Sequence, residues 1–411
     1  MWLLDELYKL KNSDNLAITS SNDSLTFKEL WNKSDILAEY IMNNTKEKST
    51  ISIYGDKEVE FLVSMVASLK AGRSYSPMNV SFPVQRVENI INVLQSDLVI
   101  NLSSEKINEN FKELDITALK NIINRESSIP VSSKNWIKPD DTAYIIFTSG
   151  STGEPKGVPI SRKNIETFSH WFKEYSILED NNYSVLDQAP YSFDLSVIAL
   201  YVYLPLGAKL VAIDKNTSSN LKQLFKEVEE SNLNIWISTP SMAELSCYDN
   251  SFNSKLLPKL KKFIFIGEVL TKNLSKDLKE RFKDVEIING YGPTEATCGV
   301  SACYIDSTMI DAEDSLPIGK PGEGIEFFIE KDSSFIDKDR ELGELVCVGD
   351  SVSKGYYKNE ILSNKMFFKS KNGKMAYKTG DIVYKIKDMF YFKQRKDFQV
   401  KLNGFRIELD D

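Results

Sequence analysis

The chain has 411 residues, with 51 lysines and arginines against 59 acids and a formal net charge of -8. That length exceeds what one hydrophobic core supports, so two or more packed subdomains are expected. The acidic balance argues against nucleic acid as the main partner, since a phosphate backbone needs a basic face, and the four cysteines contain no Cys-x-x-Cys pair, which argues for a reducing cytoplasmic setting and against a structural zinc site.

In chain order, Trp2, Leu3, Leu4, Leu7 and Leu10 recur at helical spacing among Asp5, Glu6 and Lys9. This is an amphipathic helix and not a signal peptide. No apolar run reaches the length needed to span a bilayer, so no membrane partner is expected. Residues 49–54 read as a strand and residues 58–70 as a helix with a stripe of Val59, Leu62, Val63, Val66 and Leu69. Gly72 then turns the chain into another strand, with Pro83 and Arg86 beyond it. Residues 103–135, rich in Ser, Asn, Lys and Glu, read as a connection between subdomains with a helical patch over 107–119. Strand-like runs at 209–213, 235–238, 263–266 and 285–288 alternate with helical stretches such as 221–231 and 275–281. That alternation predicts an α/β architecture with mostly parallel strands covered by helices. From residue 326 onward, short alternating runs broken by Gly and Asp predict a smaller β-rich subdomain.

Chemistry is concentrated in four places. Residues 143–147 are an apolar run ending in a turn signal, which suits a buried strand. Thr148, Ser149, Gly150, Ser151, Thr152, Gly153, Pro155, Lys156 and Gly157 come next. Glycines let the backbone approach a ligand, and the hydroxyls with Lys156 can donate to phosphate oxygens. It is not a Walker A loop, because Gly157 stands where that motif has Ser or Thr. A flexible Gly/Ser surface turn explains the composition as well. Asp194, ahead of an apolar helical run, is placed to cap that helix. Asn289, Gly290, Tyr291, Gly292, Pro293, Thr294 and Glu295 form a tight turn after an apolar strand, the end at which open α/β sheets bind ligands. Asp381 comes after Thr379 and Gly380, where its two oxygens can accept two hydroxyls or serve a plain turn. A Ser-His-Asp hydrolase is disfavoured, because His170 is the one histidine and no G-x-S-x-G elbow accompanies it. Lying between Phe168 and Trp171, His170 is expected to pack against the site.

These stretches, in this order, resemble the adenylate-forming superfamily of acyl-CoA synthetases, luciferases and peptide synthetase adenylation domains. The run around Asp194 looks most like the D-alanyl carrier protein ligase group. The resemblance implies the large N-terminal domain of that fold over residues 1–394, built from two mostly parallel α/β subdomains and a smaller β-rich one. Residues 395–411 would be the hinge, with Asp397 as pivot, and the start of a small C-terminal domain. It further implies ATP and Mg²⁺ as cofactors, a small or aliphatic amino acid as substrate, and a phosphopantetheinyl carrier protein as partner. Thr148 to Gly153 and Lys156 would hold the phosphates, and Asn289, Gly290 and Gly292 would belong to the nucleotide-binding turn. Tyr291 would stack on adenine, Thr294 donate to the α-phosphate, Glu295 hold magnesium, Asp381 bind the ribose and Arg395 reach ribose or phosphate. Lys156, Thr294 and Glu295 would be catalytic. Asp194 would hold the substrate's ammonium in a pocket walled by Leu195, Ile198, Ile237, Ile266, Gly290, Cys298 and Gly299.

Two positions depart from the family pattern: Gln394 stands where Gly is usual, and Ile266 where the D-alanine enzymes are expected to carry a smaller residue, which keeps glycine and other small amino acids in play. For Ile237, core packing is an equal alternative. In the family a lysine of the small domain contacts the substrate carboxylate and phosphate, and this sequence ends at Asp411. For this chain the expectation is therefore nucleotide and substrate binding, weak adenylation and little thioester transfer. The rival expectations are an acyl-CoA synthetase-like ligase for a small carboxylic acid, with Asp194 only a cap, and a non-catalytic nucleotide-binding module.

Overall fold

The structure, a computed structural model, describes residues 2–21, 23–125, 130–148, 155–178, 183–312, 315–396, 399–402 and 405–408. Three sheets carry it. The first runs, in spatial order, through Glu113–Asp115, Val99–Asn101, Thr50–Gly55, Ser74–Asn79, Thr142–Thr148 and Lys156–Ser161. Its neighbours are parallel except the last pair, which is antiparallel and flanks residues 149–155 in the sequence. The helix Val59–Lys70 is buried at every position and not only along the expected stripe. It lies between this sheet and the helix Phe27–Asn44, so both of its faces are covered.

The region 103–135 departs from expectation. Glu113–Asp115 is an edge strand of the first sheet, and the helix begins only at Ile116, running to Ile123. The Asp115 carboxylate fixes that start by accepting from the Ala118 N–H at 2.9 Å. This stretch completes the first subdomain instead of merely joining two.

The second sheet has the order Lys320–Pro321, Ser301–Tyr304, Glu286–Tyr291, Lys262–Phe265, Ile235–Ser238, Ser184–Asp187, Lys209–Ala212, Leu16–Thr19 and Ser24–Thr26. From Glu286–Tyr291 through Leu16–Thr19 every pairing is parallel. The strand runs read from the sequence sit within three residues of these bounds, and 235–238 coincides with its strand. Its far edge comes from the N-terminal hairpin, with Ile18 opposite Leu210, a pairing no local pattern announces. Chain order reverses between Ser184–Asp187 and Ile235–Ser238, which opens a crevice at their carboxyl ends. The third sheet is antiparallel and comprises Ser334–Ile336, Ile325–Lys331, Gly343–Gly349, Met375–Ile386, Phe367–Lys369 and Met389–Arg395. Beyond it Gln399–Leu402 and Phe405–Glu408 pair only with each other.

One ionic clamp ties the first two sheets together. Lys57 Nζ lies 2.7 Å from Asp187 Oδ1, and both side chains are fully buried. The Tyr191 hydroxyl donates to the other Asp187 oxygen at 2.8 Å, and the Lys57 ammonium sits 3.6 Å from the centre of the Tyr191 ring. Burial pushes the Lys57 pKa down. Among the described residues no helix is long and apolar enough to cross a membrane.

Candidate active site

The site is assembled from the loops and turns at the carboxyl ends of the parallel strands of the second sheet. After Ser184–Asp187 the chain runs through Pro190 and Tyr191 to Asp194. Asp194 is 7% exposed. The helical turn Ser196–Ile198 has Leu195 at its cap position, one residue after Asp194, and the Val197 N–H donates to the Asp194 backbone carbonyl at 2.9 Å. A π-helical segment, Ala199–Tyr203, continues it. π-Turns of this kind recur at functional sites. Leu195 and Ile198 are both buried.

Ile235–Ser238 delivers Ile237, which is buried and in register with Ile264, and then Thr239, Pro240 and Ser241. Lys262–Phe265 ends at Ile266, also buried, then Gly267 and Glu268, whose carboxylate accepts from the Ser241 N–H at 3.2 Å and from its hydroxyl. Glu286–Tyr291 ends in the turn carrying Gly292, Thr294 and Glu295. Two glycines here are steric requirements. A Cβ on Gly290 would meet Ile266 side-chain carbons at 2.6 Å, and one on Gly292 would meet the Cys298 carbonyl oxygen at 2.3 Å. Ile266 therefore fills the space that Gly290 leaves empty, and its Cδ1 also lies 3.6 Å from where a Gly299 Cβ would be. Thr297 and Cys298 both have positive φ, 63° and 65°, a strained conformation for a β-branched threonine. The Thr297 hydroxyl, donating to Ser351 O at 2.7 Å, helps to hold it.

Beside this turn a cavity of about 410 Å³ is lined by Gly290, Tyr291, Ile318, Asp381, Phe392 and Arg395, among others. Asp381 is not in a turn: it lies within the strand Met375–Ile386 and is 6% exposed. Its Oδ1 accepts from Arg395 Nη1 at 2.8 Å, and its Oδ2 from the Tyr291 hydroxyl. Burial, then the Asp381 charge, push the Tyr291 pKa well above the ordinary phenol value. Arg395 also donates to Thr379 O at 2.7 Å. Asn289, placed from the sequence on the nucleotide, is among the residues lining this cavity, and its amide nitrogen donates to Pro317 O at 2.7 Å.

Thr148 and Lys156 face each other across the hairpin of the first sheet. The Thr148 hydroxyl is buried and has no hydrogen-bond partner among the described residues. Ser149, Gly150, Ser151, Thr152, Gly153 and the expected pivot Asp397 lie outside the described residues. Glu295 is fully buried and accepts from the Tyr356 hydroxyl at 2.8 Å. A buried carboxylate held in this way fits Mg²⁺, which takes one or two carboxylates plus phosphate oxygens. Among the described residues no group of three or more His, Cys, Asp or Glu could hold a metal by itself.

His170 corrects an expectation. On the helix Arg162–Ser176 its side chain is 68% exposed, 3.5 Å from Glu323, while Phe168 and Trp171 turn inward. Helical geometry puts it on the face opposite its neighbours. Tyr356, which holds Glu295, and Phe392, which lines the cavity, stand outside the stretches singled out in the sequence.

The arrangement is that of an α/β enzyme whose cleft lies at the carboxyl ends of parallel strands, closed on one side by an antiparallel sheet. The chain belongs to the AMP-binding enzyme family, whose model matches residues 9–357, and it is an adenylate-forming ligase. It is 38% identical over 405 residues to a D-alanine–D-alanyl carrier protein ligase of Bacillus licheniformis, spanning 98% of this chain and 80% of that protein. A ligase of the same name from Listeria welshimeri is 40% identical over 402 residues, 94% of this chain and 77% of the other. The fold is similar to a solved nonribosomal peptide synthetase protein containing adenylation and PCP domains, with TM-score 0.87 and 21% identity over 99% of this chain and 70% of that one. It is also similar to a four-domain synthetase bound to AMP and glycine, with TM-score 0.84 and 24% identity over 99% and 30% of the two chains.

Proposed function

We propose that the chain activates a small amino acid, D-alanine in the first instance, as its acyl-adenylate for transfer to a carrier-protein thiol. The observation that carries this is the placement of Asp194: a carboxylate almost wholly buried beyond the carboxyl end of Ser184–Asp187, directly ahead of the apolar Leu195 and Ile198. A carboxylate in such surroundings attracts a cation, and a substrate ammonium supplies one. The curated relatives at 38–40% identity act on D-alanine by name, which supports the same reading.

In this scheme a substrate carboxylate oxygen attacks the α-phosphorus of ATP. The new bond joins acyl oxygen to phosphorus, the bond from the α-phosphorus to its bridging oxygen breaks, and pyrophosphate leaves with the electron pair. No protein nucleophile takes part, so the residues act by position and charge. Lys156 and the Thr148 hydroxyl face the phosphates, Thr294 supports the α-phosphate, Tyr291 stacks on adenine, and Asp381 exchanges Tyr291 or Arg395 for the ribose hydroxyls. Glu295, held by Tyr356, would carry Mg²⁺, which offsets charge on the phosphate oxygens. Residues 395–411 would be the hinge and the start of a small domain.

ATP–pyrophosphate exchange tests the reading. Exchange should depend on D-alanine or another small amino acid and be absent with propionate and benzoate. Exchange with propionate equal to that with D-alanine overturns it in favour of a carboxylic acid ligase.

A further inference from the structure

The strand Thr142–Thr148 turns Tyr144, Ile146 and Thr148 to one face and Ile145 and Phe147 to the other, as the separate apolar clusters that receive them show. The face with Tyr144 and Thr148 looks toward the second sheet. Both of these side chains carry a buried hydroxyl with no hydrogen-bond partner among the described residues. For Thr148 the explanation is the phosphate site that begins there. Tyr144 has had no role so far.

Its surroundings are specific. The Tyr144 ring packs between Tyr75, at 5.9 Å, and Tyr201, at 6.2 Å between ring centres. Those two hydroxyls satisfy each other at 2.7 Å and leave that of Tyr144 out of the pair. Tyr201 belongs to the helical run that starts just after Asp194 and passes through Ile198. The groups that act electrostatically on the Tyr144 hydroxyl are Tyr75, Asp194 and Cys298. Two of these are the cation-holding carboxylate and one wall of the proposed substrate pocket. Burial first, then these neighbours, raise the Tyr144 pKa well above 10, so the group is a neutral phenol that both donates and accepts.

Leaving a hydroxyl buried and unpaired is costly, and in native structures such an atom calls for a specific account. A structural role does not supply one, because phenylalanine would fill the same space between Tyr75 and Tyr201 without the orphan oxygen. We infer that the Tyr144 hydroxyl is a substrate contact: its oxygen accepts a hydrogen bond from the ammonium of the amino acid that Asp194 holds. This rests on the amino acid reading above and extends it. An ammonium has three N–H donors to place, and one carboxylate in an otherwise apolar pocket leaves donors over. Tyr144 would then discriminate aminated acids from their deaminated counterparts.

The test pairs Tyr144→Phe with two sulfamoyl-adenosine analogues, D-alanyl and propionyl, which differ only by the amine. Dissociation constants come from calorimetry and melting temperature is measured without ligand. The expected result is that the wild-type chain prefers the D-alanyl analogue and that Tyr144→Phe weakens that analogue about tenfold, the effect of losing a hydrogen bond to a charged group. Propionyl binding should be unchanged, and the melting temperature equal or higher, since an unpaired buried group has been removed. Equal weakening of both analogues, or a preference for the amine that survives the substitution, overturns the Tyr144 assignment while leaving amino acid activation in place. A wild-type chain that binds both analogues alike overturns both.

Discussion

Replacing Lys57 with methionine strands the Asp187 carboxylate in the interior. Both side chains are fully buried and their charged atoms lie 2.7 Å apart, the geometry in which removing one partner costs ~3–5 kcal/mol. Loss of the ammonium over the Tyr191 ring adds to this, by up to ~2 kcal/mol for a desolvated pair. Against it, the Tyr191 hydroxyl keeps donating to Asp187 at 2.8 Å. A net loss of about 3–4 kcal/mol is the expectation, at the lower end of that range. Urea unfolding monitored by tryptophan fluorescence measures it, with Asp187→Leu and the double variant completing a cycle. The double variant should recover a large part of the loss, because no charge is then left alone. The same change should also reach the site: Tyr191 sits three residues before Asp194, so affinity for the D-alanyl sulfamoyl-adenosine should fall several-fold while ATP affinity holds. A Lys57→Met chain within ~0.5 kcal/mol of wild type, the scatter of ordinary surface substitutions, with unchanged analogue binding, would refute the clamp.

Asp194→Ala should reduce D-alanine-dependent exchange by about a hundredfold or more, as expected when a buried ion pair worth ~3–5 kcal/mol is broken, with the KM for ATP little altered; steady-state kinetics separates the two. Gly290→Ala forces a Cβ to within 2.6 Å of Ile266 and should cost ~1–3 kcal/mol of stability, and the added change Ile266→Ala should restore most of it in thermal melts. Lys70, beside Asp35 at 3.0 Å and donating to Trp31 O, has its pKa lowered by burial to about 7. Between that value and the usual ~10.4 the unfolded chain binds more protons, so stability rises with pH across this window. Wild type should therefore gain on Lys70→Met by up to ~1.4 kcal/mol per pH unit between pH 7 and 10, read from urea midpoints; a flat difference rules this out.

The parts of the fold readable in the sequence were those with a strong local period. Runs such as 235–238 are short and wholly apolar, and they appear as the strand Ile235–Ser238. The stretches read as phosphate, turn and ribose motifs are each contiguous in the sequence, so each carries its own signal whether or not its distant neighbours are known. The pairing of Ile18 with Leu210 was invisible, because a strand records which side chains it buries and not which distant backbone it joins. The Val59–Lys70 helix looked amphipathic, yet Glu60 and Lys70 are buried too, since their charges meet Lys120 and Asp35 from elsewhere in the chain. Tyr356 was passed over for a related reason: its hydroxyl meets Glu295, 61 residues away. His170 was misplaced because aromatic neighbours in sequence are not neighbours on a helix surface.

The N-terminal hairpin of the second sheet bears on how the chain comes to be folded. Leu16–Thr19 is made early, yet its partner strand lies 191 residues further on, as the contact from Thr19 to Leu210 measures. During synthesis the first sheet can close while this ribbon waits with its backbone unpaired, and loop closure over that span is slow. Removing residues 1–26 would leave the edge of Lys209–Ala212 bare, a hydrophobic ladder open to another copy. The opening stretch of this protein thus acts as a late-fastened latch, and a shortened chain should be recovered as aggregate even though every group around the nucleotide is still encoded.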